Sequence, residues 1–238
     1  MTASNTARIV LLPGMDGTGE LLAPLHDQLV KHRPVTVISY PRDRFLDYEQ
    51  LAATILERLP AEPFFLLGES FSGPLAIEIA ARTGIPAAGL ILAATFAKHP
   101  WPSVFAGLTP FVPISSLPSG LHHAALLGNS GTAELRRDLA RVLNTIPDDV
   151  LRRRLAAVLR VDKTNQLRSV PLPVLCLAGR RDRLFGTSCV KHITATRPDR
   201  EMVWLDGPHM FLETHPEQSA HAIEAFCSRL EKSPRLSS

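Results

Sequence analysis

The sequence predicts an α/β protein: a mostly parallel sheet of about six strands, helices on both faces, and a helical segment inserted late in the sheet. Three observations lead there. Short apolar runs alternate with amphipathic stretches along most of the 238 residues. The runs are continuous, not alternately apolar and polar, which is how strands buried on both faces read. One proline-rich interval, residues 98–168, breaks the alternation. The expected division is a core of residues 1–97 and 169–238 and a helical cap of residues 98–168.

Arg8 to Leu12 reads as the first strand, closed by the loop Pro13-Gly14-Met15-Asp16-Gly17-Thr18-Gly19. Glu20 to Lys31 carries Leu21, Leu22, Leu25, Leu29 and Val30 at helical spacing. Val35 to Tyr40 is the second strand. Tyr48 to Leu59 is a helix with Leu51, Ile55, Leu56 and Leu59 on one face. Phe64 to Leu67 is the third strand, Phe71 to Arg82 the next helix, and Ala88 to Ala94 the fourth strand. In the cap, Pro100, Pro102, Pro110, Pro113 and Pro118 interrupt an apolar stretch, and helices follow at Thr132 to Thr145 and Asp148 to Leu159. Val174 to Ala178 and Met202 to Leu205 are the last two strands. Ser188 to Thr196 and Pro216 to Leu230 are the last helices, and Glu231 to Ser238 is a polar tail.

Composition excludes several classes. With 45% hydrophobic and 21% charged residues, the chain is an ordinary globular one. A net charge of +3, with no basic stripe interleaved with aromatics, argues against nucleic acid as a partner. No run approaches the roughly 20 apolar residues that span a bilayer, so stable membrane insertion is not expected. The polar start and the short run Ile9 to Leu12 do not read as a signal peptide, and a reducing cytoplasm is the expected location. Cys176, Cys189 and Cys227 are odd in number and lack metal-ligand spacing, so neither disulfides nor a metal are expected.

The stretch Phe64 to Gly73 carries the chemistry. An apolar run ends in Gly68-Glu69-Ser70-Phe71-Ser72-Gly73, and an apolar helix follows. That is a nucleophile elbow: a strand turning abruptly into a helix with serine at the apex. The positions two before and two after the serine must be small, and Gly68 and Ser72 are. The backbone at Ser70 is expected to be strained, which lifts its hydroxyl clear of the sheet.

Two further strands end in suitable partners. The fifth runs into Gly179-Arg180-Arg181-Asp182, and the sixth into Asp206-Gly207-Pro208-His209. A serine hydroxyl needs a base to take its proton during attack. An imidazole with an unperturbed pKa near ~6.5 accepts and returns that proton. A buried carboxylate fixes its tautomer. Asp206 is the rival acid, but it lies three residues before His209 on one loop, so Asp182 is expected. Charge developing on a carbonyl oxygen needs preorganised N–H donors, each worth ~3–4 kcal/mol. Phe71, opening the elbow helix, and Met15, after Gly14, are placed to supply them.

The chain resembles the α/β-hydrolase superfamily over nearly its whole length. The resemblance rests on Leu12 to Gly17, Gly68 to Gly73, Gly179 to Asp182, and Gly207-Pro208-His209 with Glu213, Pro216 and Glu217 after it. It implies a triad of Ser70, His209 and Asp182, oxyanion donors at the Met15 and Phe71 N–H groups, and no cofactor. Three departures stand out: Pro13-Gly14 in place of His-Gly, Gly186 where Pro often stands, and no pair of leading antiparallel strands. Serine as nucleophile, not aspartate, points to acyl transfer to water.

The expected activity is hydrolysis of a small or medium carboxylic ester. Trp101, Phe105, Phe111 and Met210 are the expected substrate-binding residues. The arginines Arg136, Arg137, Arg141, Arg152, Arg153 and Arg154 read mostly as a solvated face. Their sharper reading is an acidic partner such as an acyl carrier protein, with a pimeloyl-carrier methyl ester or a thioester as substrate. A non-catalytic small-molecule receptor is the expectation from a different class.

Overall fold

A computed structural model describes residues 6–111 and 119–232; of Pro110, Phe111, Ser119, Leu121 and His122 only the backbone is described. Six strands form one sheet: β1 (Arg8–Leu12), β2 (Val35–Val37), β3 (Phe64–Glu69), β4 (Ala87–Ala93), β5 (Val174–Gly179) and β6 (Glu201–Leu205). Their spatial order is β2-β1-β3-β4-β5-β6 and every pairing is parallel. All carboxyl ends therefore share one edge, where ligands of such sheets bind.

Period-two alternation divides the strand residues between two cores. Val10, Leu12, Phe64, Leu66, Leu90, Leu92 and Cys176 face one side. There they meet Tyr48, Leu51 and Ile55 of α2 (Tyr48–Leu56), Leu75 and Ile79 of α3 (Gly73–Ala80), and Ile193 of a later helix. Ile9, Leu11, Phe65, Leu67, Ile91 and Leu177 face the other, against Leu25 and Leu29 of α1 (Ala23–Leu29) and Ile223 and Phe226 of the last helix. Every residue of β3, β4 and β5 is buried, which is why these runs are apolar up to Glu69 at the end of β3.

Between β4 and β5 lie a 3₁₀ segment (Ser103–Phe111), α4 (Ser119–Leu126), α5 (Ala133–Leu143), α6 (Asp148–Arg160) and α7 (Thr164–Ser169). The two ends of this excursion meet. Lys98 and Asp162 form an isolated antiparallel bridge and an ion pair of 2.9 Å, and the Lys163 N–H donates to Ala97 O at 2.8 Å. After β5 come α8 (Gly186–Thr196), β6, the short α9 (Phe211–Thr214) and α10 (Pro216–Glu231).

Several bounds differ from the sequence expectation, each for a local reason. β2 stops at Val37 because the chain then turns so that the Tyr40 N–H donates to Gly17 O at 2.9 Å. The expected helix from Glu20 begins as a 3₁₀ turn (Glu20–Leu22), and Val30 at its end is exposed. The elbow helix likewise begins with a 3₁₀ turn at Ser70–Ser72 before α3. Among the described residues no helix is long and apolar enough to cross a membrane. All three cysteines are buried, and burial pushes the Cys176 and Cys189 thiols up to about 12.

Candidate active site

Ser70 follows β3 with φ 49°, a left-handed conformation that a serine adopts only under constraint. The constraint is packing. A Cβ on Gly68 would stand 2.5 Å from Ser72 O and 2.7 Å from Ala76 Cβ, and one on Gly73 would fall on the Thr95 side chain. Strand and helix cross at glycines because nothing larger fits. The Thr95 hydroxyl, just past the end of β4, donates to Ser70 O at 2.5 Å and pins the apex.

Ser70 Oγ lies 2.9 Å from His209 Nε2, and His209 Nδ1 lies 2.9 Å from Asp182 Oδ2. With Nδ1 protonated toward the carboxylate, Nε2 carries a lone pair and accepts the serine hydroxyl. The side chains of His209 and Asp182 are 3% and 8% exposed, so both bonds are shielded from water. Asp182 Oδ1 accepts from the Leu184 and Phe185 N–H groups at 2.8 and 3.2 Å. Burial alone would raise the Asp182 pKa. The His209 charge and hydrogen bond, with the two backbone donors, hold it below the usual carboxylate range instead. Asp206 is three-quarters exposed and pairs with Arg181 Nε at 3.1 Å. The Phe185 ring stands edge-on to the imidazole, 5.0 Å between centroids.

The loop after β1 closes over the same point. Gly17 (φ 73°) and Gly19 (φ 77°) take left-handed conformations, and the Gly17 N–H turns back to Gly14 O at 3.1 Å. A Cβ at Gly17 would also meet the Tyr40 ring at 2.6 Å. Met15 and Phe71 line one cavity together with Ser70 and His209. That cavity has a volume of about 670 Å³. Its inner wall is Leu21, Leu139, Val158, Leu159 and Met210, and Trp101, Phe105, Leu108 and Leu184 stand exposed at its rim. Trp101, Phe105 and Met210 thus line this cavity, whereas the Phe111 side chain falls outside the described residues.

Two acidic side chains sit close to Ser70. Glu69 and Glu213 are each 5% exposed and line the cavity. Glu69 Oε2 accepts the Gly14 N–H at 3.1 Å, and among the described residues Glu213 Oε2 has no hydrogen-bond partner. Burial raises both carboxyls, and for Glu213 burial, with the neighbouring Glu69 second, pushes it well above the usual carboxylate range. Burial likewise lowers His99 at the cavity wall. Among the described residues no cluster of three His, Cys, Asp or Glu side chains has the arrangement of a metal site.

The cap arginines divide. Arg141 pairs with Glu20 at 2.7 Å and with Asp138, Arg152 pairs with Asp148, and the Arg153 guanidinium lies 4.6 Å from the Phe45 ring centroid. Arg154 departs from the solvated face expected of it: it is 1% exposed and points inward to the loop after β1.

Comparison with known proteins follows the same lines. No family model matches the chain. A stretch of 125 residues is 34% identical to phytyl ester synthase 1, chloroplastic, of Arabidopsis thaliana, covering 48% of this chain and 17% of that protein. Polyketide synthase ThaQ of Burkholderia thailandensis is 28% identical over 247 residues, 92% of this chain and 12% of that one. The chain thus spans only a small part of the length of either relative. Among solved structures, the enol-lactonase from Burkholderia xenovorans LB400 superimposes with a TM-score of 0.80 at 17% identity, over 96% of this chain and 94% of that one. A thermophilic esterase from Thermogutta terrifontis gives 0.78 at 19% identity, over 94% and 90%.

Proposed function

From the α/β-hydrolase fold of this chain we infer a serine hydrolase that cleaves a carboxylic ester through a Ser70 acyl-enzyme. The single observation that carries this is the relay Ser70 Oγ to His209 Nε2 and His209 Nδ1 to Asp182 Oδ2, both 2.9 Å, at the carboxyl edge of the sheet. His209 takes the serine proton as Oγ attacks the ester carbonyl, then gives it to the departing alkoxide. Asp182 holds the tautomer and stabilises the imidazolium. The Met15 and Phe71 N–H groups receive the carbonyl oxygen as charge develops on it. Water, deprotonated by the same imidazole, then releases the acid. The inner wall of leucine, valine and methionine suits an apolar acyl group of medium length, while the rim faces the alcohol.

The test is labelling with a fluorophosphonate, peptide mass spectrometry, and a panel of p-nitrophenyl esters. Adduct on Ser70 and turnover of butyrate to decanoate esters is the expected result. Labelling elsewhere, or no turnover of any ester, overturns the reading and leaves a binding protein on the same fold. A second reading has an alcohol replace water as acyl acceptor. The local likeness to a phytyl ester synthase favours it, and added alcohol would then divert product from acid to ester. Delivery of the acyl group by an acidic carrier protein belongs to the same proposal and predicts salt-sensitive binding.

A further inference from the structure

We propose that Arg154, carried on α6, is a positioning residue for the Met15 N–H, acting together with Tyr40. The inference rests on the serine-hydrolase reading above. Arg154 is among the largest fully buried side chains of the protein. Its Nη1 donates to Met15 O at 2.7 Å and to Asp16 O at 3.0 Å, and its Nη2 to Pro41 O at 2.5 Å. The guanidinium lies 5.4 Å from the Tyr40 ring centroid. Tyr40 Oη in turn lies within hydrogen-bond distance of Pro13 O (2.5 Å), Gly14 O (2.8 Å) and Ser72 Oγ, with one proton to give. Ser72, in the elbow, also donates to Pro13 O, and its Oγ lies 2.7 Å from Tyr40 Oη.

Four consecutive carbonyls, Pro13 to Asp16, are thus held by three side chains from elsewhere in the chain, Tyr40, Ser72 and Arg154. Peptide planarity makes this matter to Met15. The Gly14 carbonyl and the Met15 N–H belong to one rigid trans unit and point in opposite directions. Fixing Gly14 O on the Tyr40 side aims the Met15 N–H the other way, toward the cavity shared with Ser70. Arg154 fixes the next two units, so the loop cannot rotate about Met15 without leaving buried carbonyls unpaired, which is costly. A donor that is already aimed needs no reorganisation when charge develops. The same helix presents Leu155, Val158 and Leu159 to the cavity, so α6 is at once acyl wall and loop anchor.

The test uses the full chain with Arg154→Lys, Arg154→Met and Tyr40→Phe. Since removing one oxyanion donor outright costs about 10²- to 10³-fold in kcat, misaiming one is expected to cost about 10- to 100-fold, with KM within about threefold of the parent. Affinity for a trifluoromethyl ketone, which forms an oxyanion on the serine, should fall in parallel with kcat, while affinity for the product carboxylic acid stays put. A lysine that recovers part of the loss seen with methionine fits a cation feeding carbonyls. Folded variants with parental kcat, or with only KM raised, overturn the proposal. Should the arginine variants fail to fold, Tyr40→Phe decides it, because it deletes one hydroxyl and keeps the ring: unchanged kcat and ketone affinity there overturn it too. A parent protein that reacts with neither esters nor fluorophosphonate would instead defeat the hydrolase reading.

Discussion

Asp182 and Asp206 stand on neighbouring strand ends, yet only Asp182 reaches His209, with Oδ2 2.9 Å from Nδ1, while Asp206 faces solvent beside Arg181. The distinction follows from the loop. The chain from Asp206 to His209 passes through Gly207 and Pro208, against which the Gly179 backbone packs so closely that a Cβ there would meet both carbonyls at 2.6 Å.

Asp182→Asn should therefore lower kcat by about 10⁴-fold, the loss seen when an amide imposes the wrong imidazole tautomer. Asp206→Asn should stay within about twofold. Steady-state kinetics on a p-nitrophenyl ester checks both, and the reverse ranking would reassign the acid.

The buried Glu69–Glu213 pair makes stability depend on pH in an unusual direction. Glu213 has a folded-state pKa raised well above its unfolded value, so between the two values the native state binds more protons. Stability is then highest below the unfolded pKa and falls as pH rises through the folded one. Glu213→Gln should flatten this slope and be more stable than the parent at pH 8, read from urea unfolding at pH 5 to 8. Parallel curves for the two proteins would remove the effect from Glu213.

Gly68→Ala tests the elbow. The added methyl has no room against the Ser72 carbonyl, and separating α3 from β3 to admit it should cost about 1–3 kcal/mol. Activity should fall as well, because Ser70 sits on the element that moves. Gly84→Ala is the control: its φ is positive (80°), unlike that of Gly68, but the space around it is open. Its loss should be smaller and leave kcat alone, as thermal melts and ester turnover would report.

Leu139 and Leu159 close the inner end of the cavity. Leu159→Trp should shorten the preferred acyl chain, lowering kcat/KM for the longest esters most, by about tenfold for every two methylenes excluded. Uniform loss across the ester panel would place the acyl group elsewhere.

How legible was this in the residues alone? Strands buried on both faces announce themselves as continuous apolar runs, and all six were found to within a few residues. The elbow and the two partners after β5 and β6 could be read because small residues and strand ends constrain them locally. The excursion was harder. Prolines hide the 3₁₀ segment, and α4 and α7 are too short for a periodic signal. Arg154 was concealed by its neighbours: three arginines in a row look like a wet face. Yet Val150, Leu151, Arg154 and Val158 share one helical stripe, and that spacing was the available clue. Glu69 and Glu213 lie far apart in the chain, and only the closure of β3 against α9 makes them a pair.

The closed neck between Ala97 and Lys163 carries a practical lesson for anyone who would redesign this molecule. Cutting there and grafting a foreign excursion would leave every strand pairing untouched. The transplant would nonetheless arrive without a long cation at the depth of Arg154, and the three main-chain oxygens it serves would lose their donor. Altering what the cavity accepts and preserving the loop beneath it are thus a single engineering problem.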